Sequence, residues 1–378
     1  LEFRRVLFRS RFENVRKNFG DTEVIKGLNL EINDNELVVL IGPSGCGKTT
    51  SLKMINRLIE PTSGKIYIND QDALKLSPIE LRRNIGYVIQ QIGLFPHMTV
   101  GENIGLVPTL KSWPKDKRDK RTKELLELVS MPPDDYMDRY PSELSGGQQQ
   151  RIGVARALAT NPDVILMDEP FSALDPITRR QLQDELFNIQ EELKKTIVFV
   201  THDMNEALKL GDRICIMRDG QVLQFDTPEN LLRHPDHGFV ETFIGKDRIW
   251  QKPEYVRVED IMIHNPIKAI PKRTLTQAME IMSGSGVDSL MVVDEKDKLL
   301  GIATAGDIRD KWDKAKRLDQ VYKRDVLSVH PGDSIVDVLK MMAQNDIGYI
   351  PVSDDEGTLK GLITRSSLVK VLGEKYLG

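Results

Sequence analysis

A chain of 378 residues is too long for one ordinary domain, so two or three are expected, with the apolar and charged fractions of a soluble globular protein. The net charge of −4 carries no electrostatic footprint for nucleic acid, and two distant cysteines, Cys46 and Cys215, exclude a disulfide framework and suit a reducing cytosol. No apolar run approaches the ~18 residues that would span a bilayer and no secretory signal is expected, so any membrane part is supplied by another chain.

Leu1 to Ser10 read LEFRRVLFRS, which fits neither helix nor strand periodicity. Residues 1–10 are set aside as a non-native scar or a disordered tail, and Arg11-Phe12-Glu13-Asn14-Val15 reads as a first strand. From Arg11 to Gly245 short β-rich runs alternate with helical stretches, which predicts an α/β domain over 11–245. Glu36 to Ile41, Val164 to Met167 and Thr196 to Val200 are near-continuous apolar runs, as strands buried on both faces of a parallel sheet would be. Between Pro108 and Tyr140 the chain is helical and highly charged, the pattern of an exposed helical subdomain. Its run Lys115 to Arg121 reads as a solvated helix face.

After a linker at 246–256 the sequence repeats itself with a constant shift of 60 positions, from Pro271 to Pro331. Leu275, Ala278, Met279 and Met282 match Ile335, Val338, Leu339 and Met342, each set forming one apolar helix face. A β-rich pair follows each helix: Leu290 to Val293 with Leu300 to Thr304, then Tyr349 to Val352 with Leu359 to Thr364. Two copies are too few for a solenoid, so the halves at 257–314 and 315–378 predict one pseudo-symmetric α+β domain.

The strongest chemical signal is Gly42-Pro43-Ser44-Gly45-Cys46-Gly47-Lys48-Thr49, with Thr50 next. It follows a strand and opens a helix, the context in which backbone N–H groups and a helix N-terminus cradle phosphate. Lys48 is then expected to reach the β- and γ-phosphates of ATP, and Thr49 to ligate Mg2+. Cys46, beside Lys48 at a helix start, is expected to favour thiolate and to react with thiol reagents; the plainer reading is a small space-filler. The strand Val164 to Met167 ends in Asp168 and Glu169. With a phosphate loop upstream, Asp168 is expected to hold the magnesium shell and Glu169 to polarise the attacking water.

Leu144-Ser145-Gly146-Gly147-Gln148, together with these motifs, resembles the ATPase domain of ABC transporters over about Arg11 to Gly245. The resemblance implies that Phe19 stacks on adenine and that Gln90 touches magnesium and the attacking water. It also implies that Ser172-Ala173-Leu174-Asp175 is the D-loop and that His202 contacts the γ-phosphate. Nucleotides in this family are sandwiched between the phosphate loop of one subunit and the Ser145–Gly147 segment of its partner, with Gln148 beside it. One chain has one set of each, which implies a homodimer.

Two further stretches, Lys53 to Pro61 and Gln90 to Thr99, resemble importers of quaternary-amine osmolytes such as glycine betaine, carnitine and choline. The resemblance implies membrane permease subunits docked near Gln90–Thr99, a separate solute-binding protein, and a peripheral place on the cytoplasmic face of the membrane. The C-terminal pair is similar to tandem cystathionine-β-synthase (CBS) domains. There Gly301-Ile302-Ala303-Thr304-Ala305-Gly306-Asp307 matches a run that contacts adenosine-type ligands, with Asp307 on ribose. The second copy keeps Thr364 but has Ser367 where the acid is expected. An adenine-containing regulator such as cyclic di-AMP is implied, with a pure dimerisation module as the alternative. An importer for another small solute, a non-transport ABC ATPase, and a ligand-sensing module in which hydrolysis is secondary also remain open.

Overall fold

The apolar runs become strands with no solvent face. In the computed structural model, which describes residues 10–90, 93–172, 174–236, 238–245 and 248–369 and leaves out the side chains of 250 and 251, the chain divides into two units, Leu1–Ile244 and Gly245–Gly378. The strands of the first are β1 (Ser10–Phe19), β2 (Thr22–Ile32), β3 (Leu37–Ile41), β4 (Ser63–Ile68), β5 (Gln71–Asp72), β6 (Ile85–Val88), β7 (Val164–Asp168), β8 (Thr196–Thr201), β9 (Arg213–Arg218) and β10 (Gln221–Asp226). Every residue of β3, β7 and β8 is buried.

These strands form a six-stranded sheet in the order β10-β9-β3-β8-β7-β6, parallel except for the antiparallel edge strand β10. Side-chain alternation divides β3 between two cores. Leu37, Val39 and Ile41 pack with the helices, whereas Val38 and Leu40 pack with Phe12, Val15, Ile25 and Leu28 of an antiparallel sheet ordered β2-β1-β4-β5. Because β3, β8 and β7 run parallel and in register, Ile41 lies beside Thr201, and Val200 beside Asp168. The loops that follow all three strands therefore leave at one edge, the carboxyl edge at which open α/β sheets bind ligands.

Two sequence expectations need adjustment. Ser10, assigned to the tail, is fully buried, begins β1, and pairs with Ile32 and Ile68; the rest of that tail lies outside the described residues. The helical region starts at Val100 rather than Pro108, because Thr99 and Glu102 form a reciprocal capping box; Pro108 lies inside the helix Val100–Leu110. Gln91, Ile92, Ala173 and the final residues 370–378 of the second repeat also lie outside the described residues.

The second unit contains β11 (Lys268–Ala269), β12 (Ser289–Val293), β13 (Leu299–Thr304), β14 (Tyr349–Ser353) and β15 (Leu359–Thr364), with helices Leu275–Ser285 and Ile335–Gln344. The 60-residue shift maps β12 onto β14 and β13 onto β15. Leu299 N–H donates to Gly357 O at 3.0 Å and Leu359 N–H to Asp297 O at 2.9 Å, a reciprocal pair relating the halves by pseudo-two-fold symmetry. The cores are exchanged. Val256, just before the first repeat, and Val258 and Ile261 at its start pack with Ile335, Val338 and Ile350 of the second. Leu318 and Val321, at the start of the second, pack with Leu275, Ala278 and Leu290 of the first.

Candidate functional site

Gly42 to Thr49 lie between the end of β3 and the helix Lys48–Ile55. Gly47 caps that helix at φ +102°, and a Cβ there would stand 2.3 Å from the Ile25 side chain. Only glycine fits that turn and that gap. Pro43, Ser44 and Gly45 are exposed, while Lys48 is 7% exposed and donates to Gly42 O at 2.8 Å and Pro43 O at 3.0 Å. A cleft of about 400 Å³ is lined by Phe19, Val24, Ser44, Gly45, Gly47, Lys48, Thr49, Thr50 and Glu169. Phe19 is half exposed at its rim, with the Lys17 ammonium 4.9 Å from the ring centre.

Across the sheet edge the Thr49 hydroxyl donates to Asp168 Oδ1 at 2.7 Å. Burial lifts the Asp168 carboxyl above the ordinary range, against the Thr49 hydrogen bond and the nearby Lys53 and Lys48 charges. Glu169 follows in a left-handed conformation, φ +46°, with its N–H donating to Val200 O at 3.0 Å. That turn lifts its carboxylate between two loops. Gln90 Nε2 donates to Glu169 Oε2 at 3.0 Å, and His202 Nδ1 lies 3.5 Å from Glu169 Oε1. Residues 79 and 33 positions away thus converge on one carboxylate.

A hard hydroxyl–carboxylate pair, Thr49 and Asp168, suits magnesium, which keeps several waters and shares its remaining sites with phosphate. The buried ammonium and the exposed loop N–H groups suit phosphate oxygens. The residues present therefore fit a magnesium nucleotide.

Other motif residues lie elsewhere. Ser145 caps the helix Gly146–Leu158: its hydroxyl accepts the Gln148 N–H at 3.3 Å, and Gln148 Oε1 accepts the Ser145 N–H at 2.9 Å. Ser145, Gly146, Gly147 and Gln148 line no part of the phosphate-loop cleft of their own chain. Asp175 caps the helix Pro176–Leu193; hydrogen bonds from Thr178 and Ile177 hold its carboxyl below the ordinary range.

The reactive reading of Cys46 is overturned. Its side chain is 4% exposed within the core of β1, β2 and β3, and burial raises the thiol above its ordinary value despite Lys48. The sequence showed the neighbouring charge and not the desolvation that outweighs it. A maleimide should therefore label Cys46 only as slowly as the fold opens, with no fast phase in the native chain; rapid labelling of the folded chain that ATP prevents would restore the reactive reading.

Tyr87, beside Asp168 on the neighbouring strand, was missed. Its hydroxyl is buried without a partner among the described residues, and burial with the Asp168 charge pushes it up to about 12. A polar tip within an apolar strand was the only sequence signal.

In the second unit Thr304 caps the helix Ala305–Asp310. Asp307 Oδ2 accepts from the Thr304 hydroxyl at 2.7 Å, and Oδ1 meets Lys323 Nζ at 3.0 Å. Burial acts to raise the Asp307 carboxyl, but the Thr304 and Lys323 hydrogen bonds outweigh it and hold it low. In the second repeat Ser367 takes over the cap, exchanging hydrogen bonds with Thr364 at 2.9 and 3.0 Å. The position matching Lys323 is Ile263, so acid and base are lost together.

The chain matches the ABC transporter family over residues 25–172 and the CBS domain family over 258–313 and 318–374. It is 50% identical over 370 residues, 97% of each chain, to a glycine betaine/carnitine/choline transport ATP-binding protein of Bacillus subtilis (strain 168). The chain belongs to that family of ABC transporter ATP-binding subunits. An osmoprotectant import ATP-binding protein of Salmonella typhimurium is 40% identical over 96% of each chain. Among solved structures, the dimeric ATP-binding cassette MJ0796 bound to ADP and Pi is 38% identical, with a TM-score of 0.53, over 58% of this chain and 98% of its own. This ABC subunit binds ATP and couples its hydrolysis to transport. No helix among the described residues is long and apolar enough to cross a membrane.

Proposed function

We propose that this ABC subunit powers import of a quaternary-amine osmolyte of the glycine betaine, carnitine or choline type. The observation that carries the catalytic reading is the convergence of Gln90 and His202 on Glu169, next to the Thr49–Asp168 pair. Glu169 orients and deprotonates the attacking water, and Gln90 and His202 hold its carboxylate. Lys48 and the N–H groups of Ser44 to Thr50 bind phosphate, and Phe19 packs on adenine. Thr49, Asp168 and Gln90 would hold magnesium, which neutralises phosphate charge. The helix N-terminus at Ser145–Gln148, together with Asp175, completes the site of a second copy, so the working unit is a homodimer.

We read 11–245, extended by Ser10 of β1, as the ATPase domain, 246–256 as a linker, and 257–314 and 315–378 as the CBS repeats; the two CBS matches fall within the last two bounds. Partners are membrane permease subunits and a separate solute-binding protein, with the subunit peripheral on the cytoplasmic face and no role for nucleic acid. Asn103, fully buried, supports the permease contact by holding the adjoining loop: its amide donates to Phe95 O, Met98 O and Thr99 O and accepts the Phe95 N–H. That leaves Phe95 41% exposed at the loop surface. Uptake of labelled glycine betaine by vesicles carrying the assembled transporter tests the reading. ATP-dependent uptake that excess carnitine or choline suppresses is expected; ATPase activity without uptake of any quaternary amine points to another solute.

The CBS pair is proposed to bind cyclic di-AMP through Thr304, Asp307 and Thr364. Asp307→Ala should weaken binding on the order of tenfold, the loss expected for a charge-assisted hydrogen bond. Calorimetry on the full chain measures it, and no heat from the unmodified protein would leave the pair as a dimerisation module.

A further inference from the structure

A polar cluster sits behind His202, outside the nucleotide cleft. Glu206 belongs to the helix Met204–Leu210 and is 7% exposed. Its Oε2 accepts the Thr201 hydroxyl at 2.5 Å, and Thr201 Oγ1 accepts the Asp203 N–H at 3.0 Å. These two bonds grip the chain on either side of His202. The other carboxylate oxygen, Oε1, accepts Gln183 Nε2 at 3.4 Å and faces Arg179 Nε at 4.0 Å. Both partners stand on the helix capped by Asp175, and Arg179 also donates to Leu174 O at 2.9 Å. A small cavity between the cluster and the catalytic carboxylate is lined by Glu169, Ser172, Arg179, Thr201, His202, Asp203 and Glu206.

Burying a carboxylate is costly unless its oxygens are satisfied, and an apolar side chain would fill this volume without that cost. Here both oxygens face donors, and those donors come from two elements that each lead to the reaction centre. On one side is the turn of His202. On the other is the helix that follows Leu174 and Asp175.

We propose that Glu206 is a positioning residue for hydrolysis, setting the His202 turn through the Thr201 hydroxyl and tying it through Gln183 and Arg179 to the helix capped by Asp175. The proposal rests on the reading that His202 takes part in turnover. A fixed turn keeps the imidazole against Glu169. Movement of the Asp175 helix, which each subunit of a dimer would feel, is transmitted to the histidine through one carboxylate.

Steady-state ATPase kinetics on the full chain test this. Glu206→Leu and Thr201→Val should each lower kcat on the order of tenfold while KM for ATP stays within about twofold, because the phosphate loop is untouched. The double variant should be no slower than the slower single, since both remove one linkage. Thr201→Ser keeps the hydroxyl and should retain the wild-type rate, a comparison that holds even if Glu206 variants fold poorly. Losses that multiply in the double variant, or Thr201→Ser as slow as Thr201→Val, would overturn the proposal. His202→Ala separates the two layers. Wild-type turnover in that variant overturns the reading of the histidine and the proposal with it. A slow His202→Ala beside a fast Glu206→Leu overturns the proposal alone.

Discussion

Glu169→Gln should lower ATP turnover by about 10²–10³-fold, within the range for loss of a positioned general base, while leaving ATP binding intact. The amide keeps the size of the carboxylate and can still meet Gln90 and His202, so the turn at φ +46° has no new steric reason to change. It loses the negative charge that takes a proton from water. Thr49, Asp168 and Lys48 keep their own contacts, none of which involves Glu169. Bound ATP should then persist and hold two copies together. Size-exclusion chromatography with ATP should show a stable dimer of the variant and a transient one of the parent. Turnover near the parent rate would remove Glu169 from the mechanism.

Gly47→Ala should abolish nucleotide binding, and Gly45→Ala should weaken it far less. Both glycines are left-handed, at φ +102° and +80°, so each alanine carries backbone strain of about 1–2 kcal/mol. Space separates them. A Cβ at Gly45 meets nothing within 4 Å, whereas one at Gly47 meets Ile25 Cδ1 at 2.3 Å and Val24 O at 3.3 Å. Ile25 is fully buried in the core beneath the loop and cannot swing into solvent. Relief requires Ile25 to repack against its buried neighbours, and the Val24 carbonyl at 3.3 Å leaves the new Cβ little room on the other side, so the loop is pushed at the residue that caps the Lys48–Ile55 helix and the N–H groups facing phosphate are misdirected. Fluorescent-nucleotide titration distinguishes the two variants. Equal affinities would mean that strain, and not the contact with Ile25, governs the loop.

Features whose chemistry is local were legible along the chain. Glycines at 42, 45 and 47, an apolar strand before them and Lys48-Thr49 after them specify a loop and a helix start, because backbone conformation depends on the residues within a turn. The all-apolar runs of β3, β7 and β8 announced a parallel sheet, because strands covered on both faces leave no position for a polar side chain. The 60-residue repeat, with helix periodicity in both copies, announced the second unit. Tertiary structure decided what depends on residues remote in sequence. Placing β8 between β3 and β7 brings His202 within 3.5 Å of Glu169, and nothing near either residue encodes that neighbour. Exchange of the opening segments of the CBS repeats pairs Lys323 with Asp307 and sets Ile263 at the matching place opposite Leu362, so the loss of the acid at Ser367 has a partner that a linear reading cannot find. Cys46 shows the physical reason most directly. The charge of Lys48 is two residues away and legible, but the desolvation that overrules it comes from the packed core around β1 and β2, and exists only once the chain has folded.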